Sequence, residues 1–419
     1  MADLDAAWPR NDYSRVRYDL FHDSDVFERE QDRIFRGPVW SVLGLETEIP
    51  NPGDFRVTAV GTTPVVFNRD QSGAVHAFVN RCAHRGAELV REPYGNCKDH
   101  TCIYHAWCYT LQGDLIGVPF QRGANGRGGM PPDFDLREHG LQKLRVAVWK
   151  GVVFGTFTEA TEPLPTYLGP LMIEHIGELV DRPVKILGYQ RQRVFANWKL
   201  YLENVRDGYH ASLLHEFNRT FGLSRLTQIS GGHMDDRHRH SLLFQYAGSD
   251  DDQAARQAYA RDRVQRGEYM TLKDTAIVRY VKEHPHGITT RIISVFPNAV
   301  FHQIYNCLGL RTIRPIDPGQ FEIVFILFGY EDDDEAMTGH RVNQANMVGP
   351  SGLISMEDGE ALELVQRATA PDRDAYGMYE MGGTGTIRNL DTRVNEVPIR
   401  GFWSYYSELM GIEPAGAVR

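Results

Sequence analysis

Hydrophobic and polar positions follow different patterns along the chain. Between residues 23 and 35, Val26, Phe27 and Ile34 form an apolar stripe on a charged segment, which predicts a helix that packs on a larger body. From about residue 39 to residue 157, short apolar runs alternate with turn sequences such as Asn-Pro-Gly and Gln-Ser-Gly. That alternation is typical of a small antiparallel β domain.

After residue 158 the pattern mixes helical and strand periods. Helices are predicted over residues 167–181, 198–217 with a break at Gly208, 254–279, 335–368 and 401–410, and alternating runs over 288–296, 299–316 and 321–330 predict one sheet with a covered face. The predicted fold class is α+β, with a small antiparallel all-β domain and a larger domain whose antiparallel sheet is flanked by helices. The predicted limits are 1–37 for an N-terminal helical segment packing on the larger domain, 38–157 for the β domain and 158–419 for the larger domain.

Composition narrows the class of protein. A chain of 419 residues is longer than one compact core needs. Its 45 basic against 55 acidic residues give a net charge of −10, which argues against nucleic acid or an anionic membrane as a partner. No apolar run approaches the roughly 20 residues of a membrane span, and the N-terminus lacks the features of a secretory signal. We therefore expect a soluble, cytoplasmic protein with no nucleic-acid or membrane partner.

Candidate metal chemistry is concentrated in one stretch of the β domain. The motifs Cys82-x-His84 and Cys102-x-x-His105 place one thiolate and one imidazole on each of two arms. Two Cys on one iron and two His on the other form the ligand set of a Rieske [2Fe–2S] centre. A zinc site is the alternative, but zinc ribbons and fingers usually place two Cys together on one arm. Neither arm does so, and the pattern therefore favours the Rieske centre.

Two histidines of the larger domain indicate a second metal site. His210 and His215 lie five residues apart, a spacing that turns about 140° on an ideal helix, so their imidazoles share a face only if the helix is distorted. Two His and one carboxylate with open positions form the facial triad of non-haem iron(II) oxygenases. Asp207 is a candidate for that carboxylate or for a hydrogen-bonding partner of His210. Glu357 and Asp358 supply a better candidate ligand.

The chain resembles the large (α) subunit of Rieske non-haem iron aromatic-ring-hydroxylating oxygenases over essentially its full length. The motifs that carry the resemblance are Cys82-x-His84…Cys102-x-x-His105, Asn204-x-x-Asp207-x-x-His210-x4-His215 and Gly349-Pro-Ser-Gly…Glu357-Asp358. The resemblance implies a Rieske domain at 38–157 and a catalytic domain at 158–419. It implies that Cys82, His84, Cys102 and His105 hold the [2Fe–2S] cluster, and that His210, His215 and Asp358 hold a mononuclear Fe(II) with Asn204 nearby.

The same resemblance implies partners. Electrons are expected from NADH through a separate reductase, sometimes with a ferredoxin, and O2 is the co-substrate. The expected assembly is α3β3 with a small β subunit, or α3 alone. In the family, an Asp at the position of Asp207 links an iron-ligand His to the Rieske His of a neighbouring subunit, which corresponds to His105 here.

Several phrases resemble the branch of the family that acts on benzoates, namely salicylate hydroxylases, anthranilate dioxygenases and terephthalate dioxygenases. Examples are FRGPVWSVLGLETEIPNPGDF and NWKLYLENVRDGYHASLLH. Such substrates carry a carboxylate, which Arg binds in a bidentate manner. Arg311 and Arg393 are the candidates, and in the terephthalate branch an Arg resembling Arg393 helps to hold a carboxylate. The expected function is ring hydroxylation of an aromatic carboxylate. The alternatives are a Rieske monooxygenase or O-demethylase of another aromatic, and a Rieske electron-transfer protein without oxygenase activity.

Overall fold

The chain forms two compact units. A computed structural model describes residues 8–262, 264, 270–412 and 414. One unit, Phe35–Leu164, is called the β unit below, and the other, called the mixed unit, joins the N-terminal residues to the chain from Pro165 onward. The domain limits given above stay a prediction.

The N-terminal segment of the mixed unit is fixed by a strand pair and a buried ion pair. Strand β1 (Arg15–Arg17) pairs antiparallel with residues Tyr376–Met378, and helix α1 spans Ser24–Glu30. The fully buried carboxylate of Glu30 accepts a hydrogen bond from Lys199 Nζ at 2.6 Å. A buried charge is stable only with such a partner. The pair therefore links α1 to the buried Lys199 of the same unit.

All strand pairs of the β unit are antiparallel, as the pattern predicted. Its strands are β2 (Ser41–Leu45), β3 (Asp54–Val60), β4 (Thr63–Arg69), β5 (Val75–Val79), β6 (Tyr94–Asn96), β7 (His100–Thr101), β8 (Cys108–Tyr109), β9 (Leu115–Gly117), β10 (Lys143–Trp149) and β11 (Val152–Thr156). The order β2-β11-β10-β5-β4-β3-β6 forms a seven-stranded sheet, and β7-β8-β9 form a second sheet. Side-chain alternation places Val66 and Phe78 in the core beside Trp107 and Tyr109.

The mixed unit contains a seven-stranded antiparallel sheet in the order β12-β18-β17-β16-β15-β14-β13. These strands are β12 (Val184–Val194), β13 (Ser230–Met234), β14 (Ser241–Gln245), β15 (Thr290–Val295), β16 (Ala299–Ile304), β17 (Cys307–Asp317) and β18 (Gln320–Tyr330), and the strand that pairs with β1 is β19 (Tyr376–Met378). The helices are α2 (Leu164–Leu179), α3 (Trp198–Asn204), α4 (Glu216–Phe221), α5 (Asp252–Arg261), α6 (Glu335–Val348), α7 (Leu353–Thr369) and α8 (Val397–Met410). The predicted α+β class is confirmed.

Three predicted helices differ from those observed: α3 and α5 are shorter than predicted, and the helix predicted over 335–368 is divided into α6 and α7 by residues 349–352. Helix α3 ends at Asn204, because the side chain of Asp207 accepts hydrogen bonds from the backbone N–H groups of Tyr209 and His210 and so competes with helix continuation. The prediction of a helix over 254–279 is wrong in its later part: α5 ends at Arg261, and residues 270–279 contain one short 3₁₀ turn. Residues 263 and 265–269 of that stretch lie outside the described residues. Across the described ranges, none of the helices has the length and apolarity needed to cross a membrane.

Candidate metal centres and cavity

Two loops of the β unit share one backbone construction. One begins at Cys82 after β5 and the other at Cys102 between β7 and β8. In each loop the cysteine N–H donates to the carbonyl five positions later, at 2.8 and 2.9 Å, and the amide four positions later donates back to the cysteine carbonyl, at 3.0 and 2.9 Å. The residue that donates back has a positive φ, +74° at Gly86 and +53° at Ala106. The two arms of the sequence motif are therefore two copies of the same loop.

The four predicted cluster residues divide into a buried pair and an outer pair. Cys82 and Cys102 are 3% and 2% exposed, whereas His84 is half-buried and His105 is exposed. The imidazole rings of His84 and His105 lie 4.6 Å apart, centre to centre. The structure thus brings all four residues together, with the thiols inside and the imidazoles outside.

This donor set fits a [2Fe–2S] cluster. Burial raises the pKa of the Cys82 thiol, and the neighbouring Cys102 raises it further. A thiolate at Cys82 is therefore favoured only with positive charge close by, such as that of a bound metal ion, since thiol ligands lose their protons on binding metal. Two supporting residues were not predicted: Tyr109 OH lies within hydrogen-bond distance of Cys82 Sγ, at 3.2 Å, and the ring of Trp107 stacks on that of His84 at 4.6 Å. An aromatic residue shortly after the second motif was the available signal.

His210, His215 and Asp358 converge in the mixed unit. His210 begins a 3₁₀ turn after α3, His215 directly precedes α4, and Asp358 lies on α7. Asp358 Oδ1 lies 3.4 Å from His210 Nε2 and 3.6 Å from His215 Nε2, and one ligand atom from each residue lies within 4.8 Å of the others. The two imidazoles reach one point from separate elements, so the spacing of five residues needs no distorted helix.

Each imidazole also faces a second carboxylate. Asp207 Oδ2 lies 3.3 Å from His210 Nδ1, and Glu357 Oε2 lies 3.0 Å from His215 Nδ1. Carboxylates in this position fix the orientation of a metal-binding imidazole. The sequence offered Glu357 only as an alternative ligand. Its neighbour Asp358 faces the imidazole Nε2 atoms instead, because consecutive residues point about 100° apart on a helix.

The electrostatics of this cluster favour a cation. Burial opposes a charged imidazole, but Asp207 and Asp358 beside it raise the pKa of His210 to about 10. Burial likewise opposes an ionised Asp358, yet the adjacent histidines and a hydrogen bond from Asn204 Nδ2 at 3.1 Å lower its pKa to about 2. Two histidines and one carboxylate form the donor set of non-haem iron sites. The residues present therefore fit a mononuclear iron.

A cavity of about 830 Å³, including its open mouth, lies against these residues. Its apolar wall is formed by Val205, Ala211, Leu243, Phe244, Ile292, Ile304, Met347 and Ile354, and its further polar groups include Asn218, Ser224, Gln245, Thr290 and Tyr305. An aromatic ring fits such a mainly apolar wall with a few polar groups.

Both predicted arginines line this cavity, and each is 4% exposed. Arg393 Nη2 donates to Ser224 Oγ at 3.3 Å and to the carbonyl of Arg225 at 3.1 Å. Burial lowers the pKa of Arg393 to about 10, so it stays charged at neutral pH. Within the described ranges neither Arg311 nor Arg393 forms an ion pair with a carboxylate. Gly208 is needed for space, because a Cβ there would lie 2.7 Å from that of Arg393.

Comparison with known proteins agrees with this geometry. Residues 39–137 match the Rieske [2Fe-2S] domain, and residues 183–411 match the ring hydroxylating alpha subunit (catalytic domain). The chain is 46% identical over 409 residues to the anthranilate 1,2-dioxygenase large subunit of Burkholderia cepacia, covering 97% of this chain and 96% of that protein. It is 42% identical over 408 residues to the terephthalate 1,2-dioxygenase terminal oxygenase component subunit alpha 2 of Comamonas sp, covering 97% and 98%. The structure of naphthalene 1,2-dioxygenase from Rhodococcus sp. aligns with a TM-score of 0.78 at 24% identity over 94% of both chains.

An all-β cluster domain and a two-histidine, one-carboxylate site on one chain define an iron-dependent oxygenase. The chain belongs to the family of Rieske ring-hydroxylating oxygenase α (large) subunits. It is an oxidoreductase that uses a Rieske [2Fe–2S] cluster and a non-haem iron. The family and the cofactors predicted from the sequence are confirmed.

Proposed function

We propose that this terminal oxygenase hydroxylates the ring of an aromatic carboxylate, such as terephthalate, salicylate, anthranilate or a substituted benzoate. The observation that carries the proposal is the pair of buried arginines on the cavity wall. A buried cation without an anionic partner is strongly unfavourable. A substrate carboxylate supplies that partner through charge-assisted hydrogen bonds. The relatives named for anthranilate and terephthalate support the same substrate class.

Other buried arginines of the mixed unit show how structural arginines are satisfied here. Arg341 Nε donates to Asp333 at 2.7 Å. Arg206 donates to a backbone carbonyl at 2.6 Å and does not line the cavity. Arg311 and Arg393 differ from both, since they combine a position on the cavity wall with the absence of a carboxylate partner in the described part of the chain. That difference supports a role in binding an anionic ligand.

The proposal assigns a role to each predicted site residue. Cys82, His84, Cys102 and His105 hold the cluster, and His210, His215 and Asp358 hold the mononuclear iron. When bound, the cluster supplies single electrons and the mononuclear iron activates O2. Asp207 and Glu357 keep the two imidazoles turned toward Asp358, and Asn204 holds the carboxylate of Asp358. The apolar wall excludes water while Arg311 and Arg393 orient the ring.

The electron donor and the assembly are part of the proposal. Electrons pass from NADH through a separate reductase, with or without a ferredoxin, and the α subunits assemble as α3β3 or α3. The exposed imidazole of His105 supports electron exchange at the protein surface. The side chain of Asp207 is 22% exposed, which suits a bridge to the Rieske histidine of a neighbouring subunit. Light scattering of the purified oxygenase, with and without a co-purifying small subunit, measures the stoichiometry.

Product analysis with a supplied reductase tests the proposed substrate class. The panel contains salicylate, anthranilate, the phthalate isomers and halobenzoates, each paired with its neutral primary amide. We expect at least one acid to be hydroxylated with a kcat/KM about 10- to 100-fold above that of its amide, because the charged hydrogen bonds are lost with the carboxylate. The number of oxygen atoms inserted separates dioxygenation from monooxygenation or O-demethylation.

Arginine variants make the same test specific to the cavity. Arg311→Gln and Arg393→Gln are expected to lose the preference for the acid while they keep their iron. Arg137→Gln is the matched control, because Arg137 is an exposed arginine of the β unit that pairs with Asp135 at 2.7 Å. Equal turnover of acids and amides by the wild-type enzyme would refute the proposed substrate class.

A further inference from the structure

The guanidinium of Arg311 is held on three sides by buried groups without negative charge. Its Nε donates to His302 Nδ1 at 3.3 Å, and its Nη1 donates to Tyr201 OH at 3.1 Å. The ring centre of Phe325 lies 5.2 Å from the guanidinium carbon. His302 and Phe325 are fully buried and Tyr201 is 1% exposed, whereas Arg311 lines the cavity. The direction of the guanidinium is thus fixed while its charge stays unneutralised.

The register of the sheet explains why these groups meet. Arg311 on β17 lies opposite Phe325 on β18, and His302 on β16 lies opposite Gly309 on β17. A Cβ at position 309 would collide with the imidazole of His302. Gly309 therefore leaves the space through which the imidazole of His302 reaches Arg311, two positions after Gly309 on β17.

The contacts of His302 fix its protonation. Because Nδ1 accepts from Arg311, the ring hydrogen is on Nε2, which lies 3.7 Å from Cys307 Sγ. Burial and the charge of Arg311 hold the pKa of His302 well below its ordinary value. The imidazole is therefore neutral, and it offers the guanidinium a lone pair without compensating its charge.

A carboxylate in place of His302 would have satisfied the positive charge of Arg311 within the protein and would have competed with an anionic ligand. We propose that His302 and Tyr201 are positioning residues that aim the Arg311 guanidinium at a ligand carboxylate and leave its charge available to that ligand. The inference rests on the proposed function, because it takes the ligand to be an aromatic carboxylate. Neither positioning residue lines the cavity, so selectivity for the acid depends on side chains outside its wall.

The test measures dissociation constants by isothermal titration of the full-length oxygenase in the absence of O2. The probes are anthranilate, salicylate and terephthalate, each with its own primary amide. His302→Leu is expected to weaken binding of the acid about 10- to 100-fold and to leave binding of the amide unchanged, because an aligned hydrogen bond to a charged group is lost. With the acid as substrate, KM should rise while kcat at saturation stays near the wild-type value.

Three further variants separate positioning from general packing. His302→Asn keeps a carbonyl acceptor and is expected to restore most of the affinity for the acid. Tyr201→Phe removes the second acceptor, and Gly309→Ala displaces the imidazole; both should weaken binding of the acid alone. His340→Asn is the control, since His340 on α6 contacts a backbone carbonyl, at 3.0 Å, and does not line the cavity.

The outcomes distinguish this inference from the proposed function. If the wild-type enzyme binds acids and amides equally, the proposed function fails. If the wild type prefers acids and His302→Leu, Tyr201→Phe and Gly309→Ala keep that preference unchanged, the positioning role is overturned while the proposed function stands. If His302→Leu loses its iron or its native circular dichroism spectrum, Tyr201→Phe provides the test instead. Weaker binding of the acid by Tyr201→Phe supports the positioning role, and unchanged binding overturns it.

Discussion

Replacing Tyr109 by Phe is expected to lower the midpoint potential of the Rieske cluster. Tyr109 is fully buried, and its hydroxyl accepts from the amide of Ala83 at 3.1 Å and lies 3.2 Å from Cys82 Sγ, to which it donates when Cys82 is a thiolate ligand. A hydrogen bond to a cluster sulfur stabilises the reduced, more negative state, and its loss lowers the potential. Hydrogen bonds to charged groups contribute about 1.5–3 kcal/mol. If about half of that depends on the added electron, the potential falls by roughly 30–60 mV, since 59 mV corresponds to 1.4 kcal/mol for a one-electron couple.

A redox titration followed by electron paramagnetic resonance or visible circular dichroism measures that potential. Tyr94→Phe is the matched control, because Tyr94 belongs to the same unit, is 66% exposed and lies over the guanidinium of Arg56. The control should leave the potential unchanged. A Tyr109→Phe protein with a full cluster and an unchanged or higher potential would refute the reasoning, and with it the placement of Cys82 as the sulfur ligand beside this hydroxyl.

Two other predictions concern the mixed unit. Glu357→Ala should weaken mononuclear iron binding about 10- to 100-fold, because His215 Nδ1 loses the carboxylate that faces it. The iron that the protein retains after dialysis against a ferrous chelator measures this effect. An unchanged iron content would contradict the prediction. Burial lowers the pKa of His240 to about 4, against about 6.5 for an unfolded histidine. As the pH falls from about 6.5 toward about 4, the unfolded chain binds a proton at His240 that the folded protein does not, so the free energy of unfolding decreases. At about pH 5 the loss is about 2 kcal/mol, and urea unfolding of His240→Leu should therefore show a smaller difference between about pH 7.5 and about pH 5 than the wild type. Equal differences in the two proteins would contradict this assignment.

The sequence was sufficient to predict a site where the candidate ligands lie within one short stretch of backbone. Each arm of the cluster motif folds into one short loop closed by its own backbone hydrogen bonds, so the ligand spacing carries most of the three-dimensional information. Strands β15 to β18 were predictable for a similar reason, because apolar residues recur along them and are largely buried in the sheet. The assignment of Asp358 over Glu357 was different, since it came from family resemblance. Its physical basis, the face of α7 that points toward His210 and His215, appears only in the folded chain.

The features that were not predicted depend on contacts between residues distant in sequence, or on side chains that end a helix where the hydrophobic pattern would continue it. Tyr201 lies 110 residues from Arg311, and their hydrogen bond requires α3 to pack against β17. The early end of α3 arises from the side chain of Asp207, which no periodic pattern records. The same aspartate was predicted near His210 on spacing alone. Local spacing therefore identified the residue but not its second role in ending the helix.

The two metal centres are built for opposite relations to water. In the β unit the proposed sulfur ligands are buried, whereas the exposed imidazole of His105 follows Ile103 and Tyr104, which are 63% and 56% exposed. In the mixed unit His215 and Asp358 are buried at the wall of a largely apolar cavity. A surface imidazole edge suits electron exchange with another protein, because close approach of the partner needs no opening of the fold. An iron held by His215 and Asp358 would be buried beside this cavity, where the exclusion of water would protect oxygen chemistry from side reactions. The different roles proposed for the two centres therefore follow from which of the proposed ligands each unit buries.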